Sequence, residues 1–85
     1  MRAVEIYTTP VCPYCAMAKR LLQKKGVRYS EIDVSRDPAL REAMIQRAKG
    51  RRTVPQIFIG GVHVGGSDDL HDLDSAGRLD AMLAD

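Results

Sequence analysis

The chain has no tryptophan, one phenylalanine and only two cysteines among its 85 residues. Its formal net charge is just +2, and the basic residues are spread along the chain without interleaved aromatics. Nucleic-acid binding is therefore not expected. No apolar run approaches the ~20 residues that cross a bilayer, and "MRAVEIYTT" lacks the basic-then-apolar pattern of a secretory leader. The expectation is a cytoplasmic protein without membrane contact, in a compartment where small thiols keep cysteines reduced. There are no repeats and no low-complexity segments. With 45% apolar and 28% charged residues, residues 1–85 read as one soluble domain.

What is present alternates in period. "AVEIY" (Ala3 to Tyr7) reads as a strand. Ala18, Leu21, Leu22 and Lys25 then recur at helical spacing, and Gly26 ends that helix. "RYSEID" (Arg28 to Asp33) reads as a weaker edge strand. Asp37 and Pro38 open a second helix, the aspartate as cap and the proline in the first turn. Leu40, Ala43, Met44 and Ala48 are its expected inner face, and Gly50 its end. "QIFIGGVHV" is a hairpin turning at Gly60-Gly61. Ser67 is expected to cap a third helix with Asp68 and Asp69 in its first turn, Leu70 and Leu73 inward. Gly77 interrupts it before Leu79, Met82 and Leu83 resume the stripe. The order implies an α/β fold: a mixed four-stranded sheet flanked by helices on both faces, with a right-handed parallel crossover at its start.

The two cysteines, Cys12 and Cys15, fall in "TTPVCPYCAMAK", where the first strand gives way to the first helix. Pro13 suits the first helical position, which puts Cys12 at the N-cap. First-turn N–H groups, those of Tyr14 and Cys15 among them, are expected to point at its sulfur. The helix dipole favours an anion there by about 0.3–1 kcal/mol, up to ~2 when partly buried. Hydrogen bonds to an ionised acceptor add roughly 1.5–3 kcal/mol. At ~1.4 kcal/mol per pKa unit, a thiol near 8.5 drops by about two to three units and is mostly thiolate at neutral pH. Cys12 is thus the expected nucleophile, and Cys15, one turn inside the helix, the resolving thiol. A structural staple is not expected, because so short a loop constrains the unfolded chain little. Zinc is not expected either. The only histidines, His63 and His71, fall outside the usual ligand spacing, and there is no second cysteine pair. His63 reads as a hairpin surface residue and His71 as a solvated helix residue.

"CPYC" at a helix start, "TVPQIFI" (Thr53 to Ile59) and "GGSDDL" (Gly65 to Leu70), in that order, resemble a dithiol glutaredoxin of the bacterial type over essentially the whole chain. The resemblance implies a thioredoxin-like fold and glutathione as reductant and co-substrate, with no metal. It implies a cis peptide before Pro55, so that the Val54 backbone, flanked by Thr53, meets glutathione as a neighbouring strand would. Gly65 and Gly66 allow close backbone approach, and the N–H groups of Ser67 and Asp68 suit the γ-glutamyl carboxylate. Asp68 or Asp69 would pair with the adjacent ammonium, although Asp69 serves equally well as a complement to the helix dipole. Tyr14 would wall the groove, and Arg41 matches the cation that the family uses for the glycine-end carboxylate. Two positions depart from many relatives: Thr9 replaces a lysine, and Ser67 a third cysteine.

Three functions follow from these residues. The first is a glutathione-dependent thiol–disulfide oxidoreductase. It would reduce protein–glutathione mixed disulfides with Cys12 alone and protein disulfides, those of ribonucleotide reductase included, with both cysteines, acting as a monomer. The second is a module holding an iron–sulfur cluster through Cys12 and glutathione, against which Pro13 argues, since cluster-binding relatives carry a smaller residue there. The third is a thioredoxin-like donor recharged by a flavoprotein reductase, which would have no use for the "GGSDDL" carboxylate site.

Overall fold

The computed structural model describes residues 1–85. Strand β1 (Val4–Thr8) leads into helix α1 (Pro13–Lys24), then β2 (Tyr29–Asp33) and α2 (Pro38–Arg47). The hairpin β3 (Gln56–Ile59) and β4 (Val62–Gly65) follows, and α3 (Ser67–Ser75) and α4 (Leu79–Leu83) close the chain. The sheet order is β2-β1-β3-β4. β1 runs parallel to β2 and antiparallel to β3, so the sheet is mixed and β2 is an edge, as its polar sequence implies.

Alternation along the central strands sorts side chains onto two cores. Val4, Ile6, Ile57 and Ile59 face α1, α3 and α4 through Ala18, Leu21, Leu22, Leu70, Leu79 and Leu83. Tyr7 and Phe58 face the other way and meet Val34 and the α2 residues Met44, Ile45 and Ala48. Each fully buried aliphatic contributes about 1.5–3 kcal/mol, so neither helical layer can be lost without losing the sheet. This is the thioredoxin-like arrangement.

The α2 face differs from expectation. Leu40 and Ala43 are exposed, whereas Ile45 is buried beside Met44 and Ala48. Only the C-terminal half of α2 lies over Tyr7 and Phe58. There Arg47 pairs with Glu5 through two nitrogens, at 2.9 and 3.2 Å, donates to the Tyr7 hydroxyl at 2.9 Å, and lies 4.0 Å from the Phe58 ring centroid. The hydrogen bonds from Arg47 hold the Glu5 carboxyl below its ordinary pKa against opposing burial. The last helical stretch is interrupted around Gly77, as its sequence implies, and continues as the separate helix α4. The hairpin turn is as read: Gly60 and Gly61 both take positive φ, 57° and 79°.

Candidate functional site

β1 ends in buried Thr8, whose hydroxyl donates to Glu31 on β2 at 2.8 Å. Lys19 of α1 reaches the same carboxylate at 3.0 Å. Glu31 is held below its ordinary pKa, first by Lys19 and then by Thr8. This tie fixes α1 against the sheet one helical turn beyond Cys15, and so fixes the cysteine loop.

Cys12 is the N-cap of α1, with extended backbone (φ −146°, ψ 100°) and Pro13 after it. Its sulfur accepts the Cys15 N–H at 3.0 Å. The second donor expected, Tyr14 N–H, makes no such bond. Cys15 is 1% exposed and Cys12 is partly exposed. Their Cα atoms are 5.1 Å apart and the sulfurs are joined as a disulfide, the oxidised form of a redox couple. An accessible sulfur and a buried partner one turn away define an attacking and a resolving position.

Opposite this pair, the Val54–Pro55 peptide is cis, and the Val54 carbonyl oxygen lies 3.9 Å from Cys12 Sγ. Beside them opens a cleft of about 250 Å3 lined by Tyr14, Arg51, Thr53, Val54, Pro55, Gly66, Ser67, Asp68 and Asp69. Eight of the nine residues singled out in the sequence for glutathione are therefore brought together. Arg41 is not among them: its guanidinium donates to the Arg52 carbonyl at 2.9 Å. Arg51, which no motif marked, supplies the cation of the cleft. No sequence signal marks it, because Arg51 lies in the loop between α2 and β3, where spacing along the chain does not set the direction of a side chain.

The helix end beyond the cleft also differs from expectation. Gly66, not Ser67, is the N-cap of α3, and Ser67 is its buried first residue. Asp69 reaches back instead: its carboxylate accepts from Gly66 N–H at 2.8 Å and from Arg51 Nη1 at 3.1 Å. The Gly66 hydrogen bond, chiefly, and then Arg51 hold Asp69 below the usual carboxylate range against opposing burial. Asp69 thus caps the helix, and exposed Asp68 is left facing the cleft. Gly65, at φ 119°, has no room for a Cβ, which would strike the Asp69 carboxylate and lie 2.8 Å from Arg51. Gly66 has ordinary space.

Both histidines, read as a surface and a solvated residue, are half-buried and hydrogen-bonded. His63 stacks on Phe58 and meets Gln56, while His71 Nδ1 lies 2.8 Å from the Ser67 carbonyl.

A dithiol couple at a helix start, facing a cis-proline turn on a thioredoxin-like sheet, defines a thiol–disulfide redox protein. The glutaredoxin family model matches residues 4–64. Over 84 residues the chain is 56% identical to a glutaredoxin of Pseudomonas aeruginosa, covering 99% of both chains. It is similar to the solution structure of glutaredoxin from Brucella melitensis, with 58% identity, a TM-score of 0.86, and coverage of 98% of this chain and 89% of that one. It is also similar to a buckwheat glutaredoxin–glutathione complex, with 35% identity, a TM-score of 0.87, and coverage of 94% and 74%. The chain belongs to the glutaredoxin family and is a glutathione-dependent thiol–disulfide oxidoreductase.

Proposed function

We propose that the protein uses the Tyr14–Asp69 cleft to hold glutathione against Cys12 and so reduces protein–glutathione mixed disulfides with one thiol and protein disulfides with two. The observation that carries this reading is the cleft itself, which gathers eight of the nine residues named from sequence for glutathione beside a Val54 carbonyl 3.9 Å from Cys12 Sγ.

In the one-thiol cycle, the Cys12 thiolate attacks the glutathione sulfur of the mixed disulfide. The substrate leaves as a thiol, and Cys12 is left bonded to glutathione. A second glutathione thiolate attacks that sulfur, releasing Cys12 as thiolate and glutathione disulfide as product. In the two-thiol cycle, Cys12 attacks the protein disulfide and Cys15 resolves the tethered intermediate. The substrate is reduced by two electrons, and the Cys12–Cys15 disulfide returns to the dithiol at the expense of two glutathiones.

Within the cleft, the cysteinyl backbone of glutathione runs beside Val54. The γ-glutamyl carboxylate meets the free N–H groups of Ser67 and Asp68, where a helix start favours an anion, and its ammonium meets Asp68. Arg51 is the cation placed to meet a carboxylate. Arg41, bonded to the Arg52 carbonyl, acts on the neighbouring turn. Gly66 lets the backbone come close, and Tyr14, 58% exposed, covers the bound thiol. The protein acts as a monomer in the cytoplasm, and the disulfide of ribonucleotide reductase is among its substrates; the resemblance to dithiol glutaredoxins supports these last assignments.

The test is the Michaelis constant for glutathione in Asp68→Ala and Arg51→Ala. Each removes one charged, solvent-accessible partner and should raise it about two- to tenfold. Unchanged constants in both variants would place glutathione elsewhere.

A further inference from the structure

Gln56 is a fully buried polar side chain in the first position of β3, 0% exposed. Its amide nitrogen donates to the Thr53 carbonyl at 2.9 Å and approaches the Thr53 hydroxyl at 3.3 Å. Its amide oxygen lies 2.7 Å from His63 Nε2 on β4. Only an N–H can face the Thr53 carbonyl, because two carbonyl oxygens at that distance repel. The amide is thereby oriented, and its oxygen must receive a proton from His63. The imidazole is accordingly the Nε2–H tautomer, and stacking on Phe58, with ring centroids 5.0 Å apart, holds it in place. Burial, then the Arg51 and Lys49 charges, keep His63 below its ordinary pKa, so the ring is neutral at neutral pH.

The chain of bonds ends on the turn that faces the nucleophile. Thr53 precedes Val54, whose carbonyl oxygen stands 3.9 Å from Cys12 Sγ. We propose that Gln56 and His63 are positioning residues for the reaction at Cys12: His63 orients the Gln56 amide, and Gln56 sets the height of the Thr53–Val54 backbone on which the glutathionyl group is laid. Neither residue touches the reacting sulfurs. The proposal rests on the reading that glutathione lies along Val54.

Gln56→Glu separates this role from a structural one. The carboxylate still accepts from His63 but cannot donate to the Thr53 carbonyl, so the turn shifts. The Michaelis constant for glutathione should rise about three- to tenfold, the scale of one lost hydrogen bond, with kcat within about twofold. His63→Phe keeps the stack on Phe58 and deletes the donor. It should give a smaller rise in the same constant, and His63→Gln, which restores a donor, should bring it back toward wild type. Independently of glutathione, nitrogen NMR of the wild-type protein should show His63 as the neutral Nε2–H tautomer. A Michaelis constant unmoved in Gln56→Glu, or an Nδ1–H tautomer at His63, overturns the proposal. A wild-type protein that shows no glutathione-dependent turnover overturns the functional reading beneath it instead.

Discussion

The backbone N–H of Cys15 points at the sulfur of Cys12 across 3.0 Å. The resolving residue thus contributes twice: its thiol is the partner of the internal disulfide, and its amide is the hydrogen-bond donor to the attacking atom. A hydrogen bond to an ionised acceptor favours the thiolate, and the N-terminus of α1 adds its dipole in the same sense. Both effects survive any change of the Cys15 side chain.

For the reduced protein, this geometry predicts that Cys12 alkylates with a pH midpoint below that of free cysteine, despite Thr9 nearby. The rate of modification by iodoacetamide against pH reads it directly. A midpoint at or above the free-cysteine value contradicts the cap geometry.

Cys15→Ser should divide the two activities. Reduction of a glutathionylated peptide needs only Cys12, and removing a competing thiol keeps or improves it. Reduction of a protein disulfide needs an internal thiol at high effective concentration, so most of that activity should disappear. Because the Cys15 N–H remains, the alkylation midpoint of Cys12 should stay low. Parallel loss of both activities would mean that the resolving thiol takes part in the one-thiol cycle.

Asp69→Ala should cost about 1 kcal/mol of stability, through the Gly66 N–H left without its acceptor. Its ion pair with Arg51, half exposed on both sides, adds little. Asp69 titrates below its ordinary value in the folded state, chiefly because of the Gly66 hydrogen bond. That stabilisation is therefore complete above the unfolded carboxylate pKa of about 3.9 and is lost as pH falls through the folded value. Thermal melts of wild type and variant should differ by a constant amount near neutrality and converge on acidification. A gap that widens in acid contradicts the assignment.

Features decided within a few residues could be read directly from the chain. Cys12 and Asp37 cap their helices, with the Asp37 carboxylate accepting Ala39 N–H at 2.9 Å, because a cap and the proline after it are local chemistry. Gly60 and Gly61 were legible for the same reason. The buried face of α2 was not. Its apolar residues are scattered around the helix, and contact with Tyr7 and Phe58 selects Met44, Ile45 and Ala48 over Leu40 and Ala43. The cap of α3 lies one residue before the Ser67 that the sequence suggests, because Asp69 reaches back to Gly66 from within the helix. Arg51 and the Gln56–His63 contact depend on which way a loop residue points and on strand register, irregular between Ile57 and Phe58. Neither is encoded in spacing along the chain.

The central claim is that a single accessible sulfur, Cys12, exchanges glutathione with substrate. The most direct measurement is glutathione-dependent turnover of a glutathionylated peptide by wild type and by Cys12→Ser. Wild type should turn over the peptide with glutathione as the sole reductant, and Cys12→Ser should show none, because a hydroxyl cannot enter thiol–disulfide exchange. Turnover retained in Cys12→Ser would contradict the account.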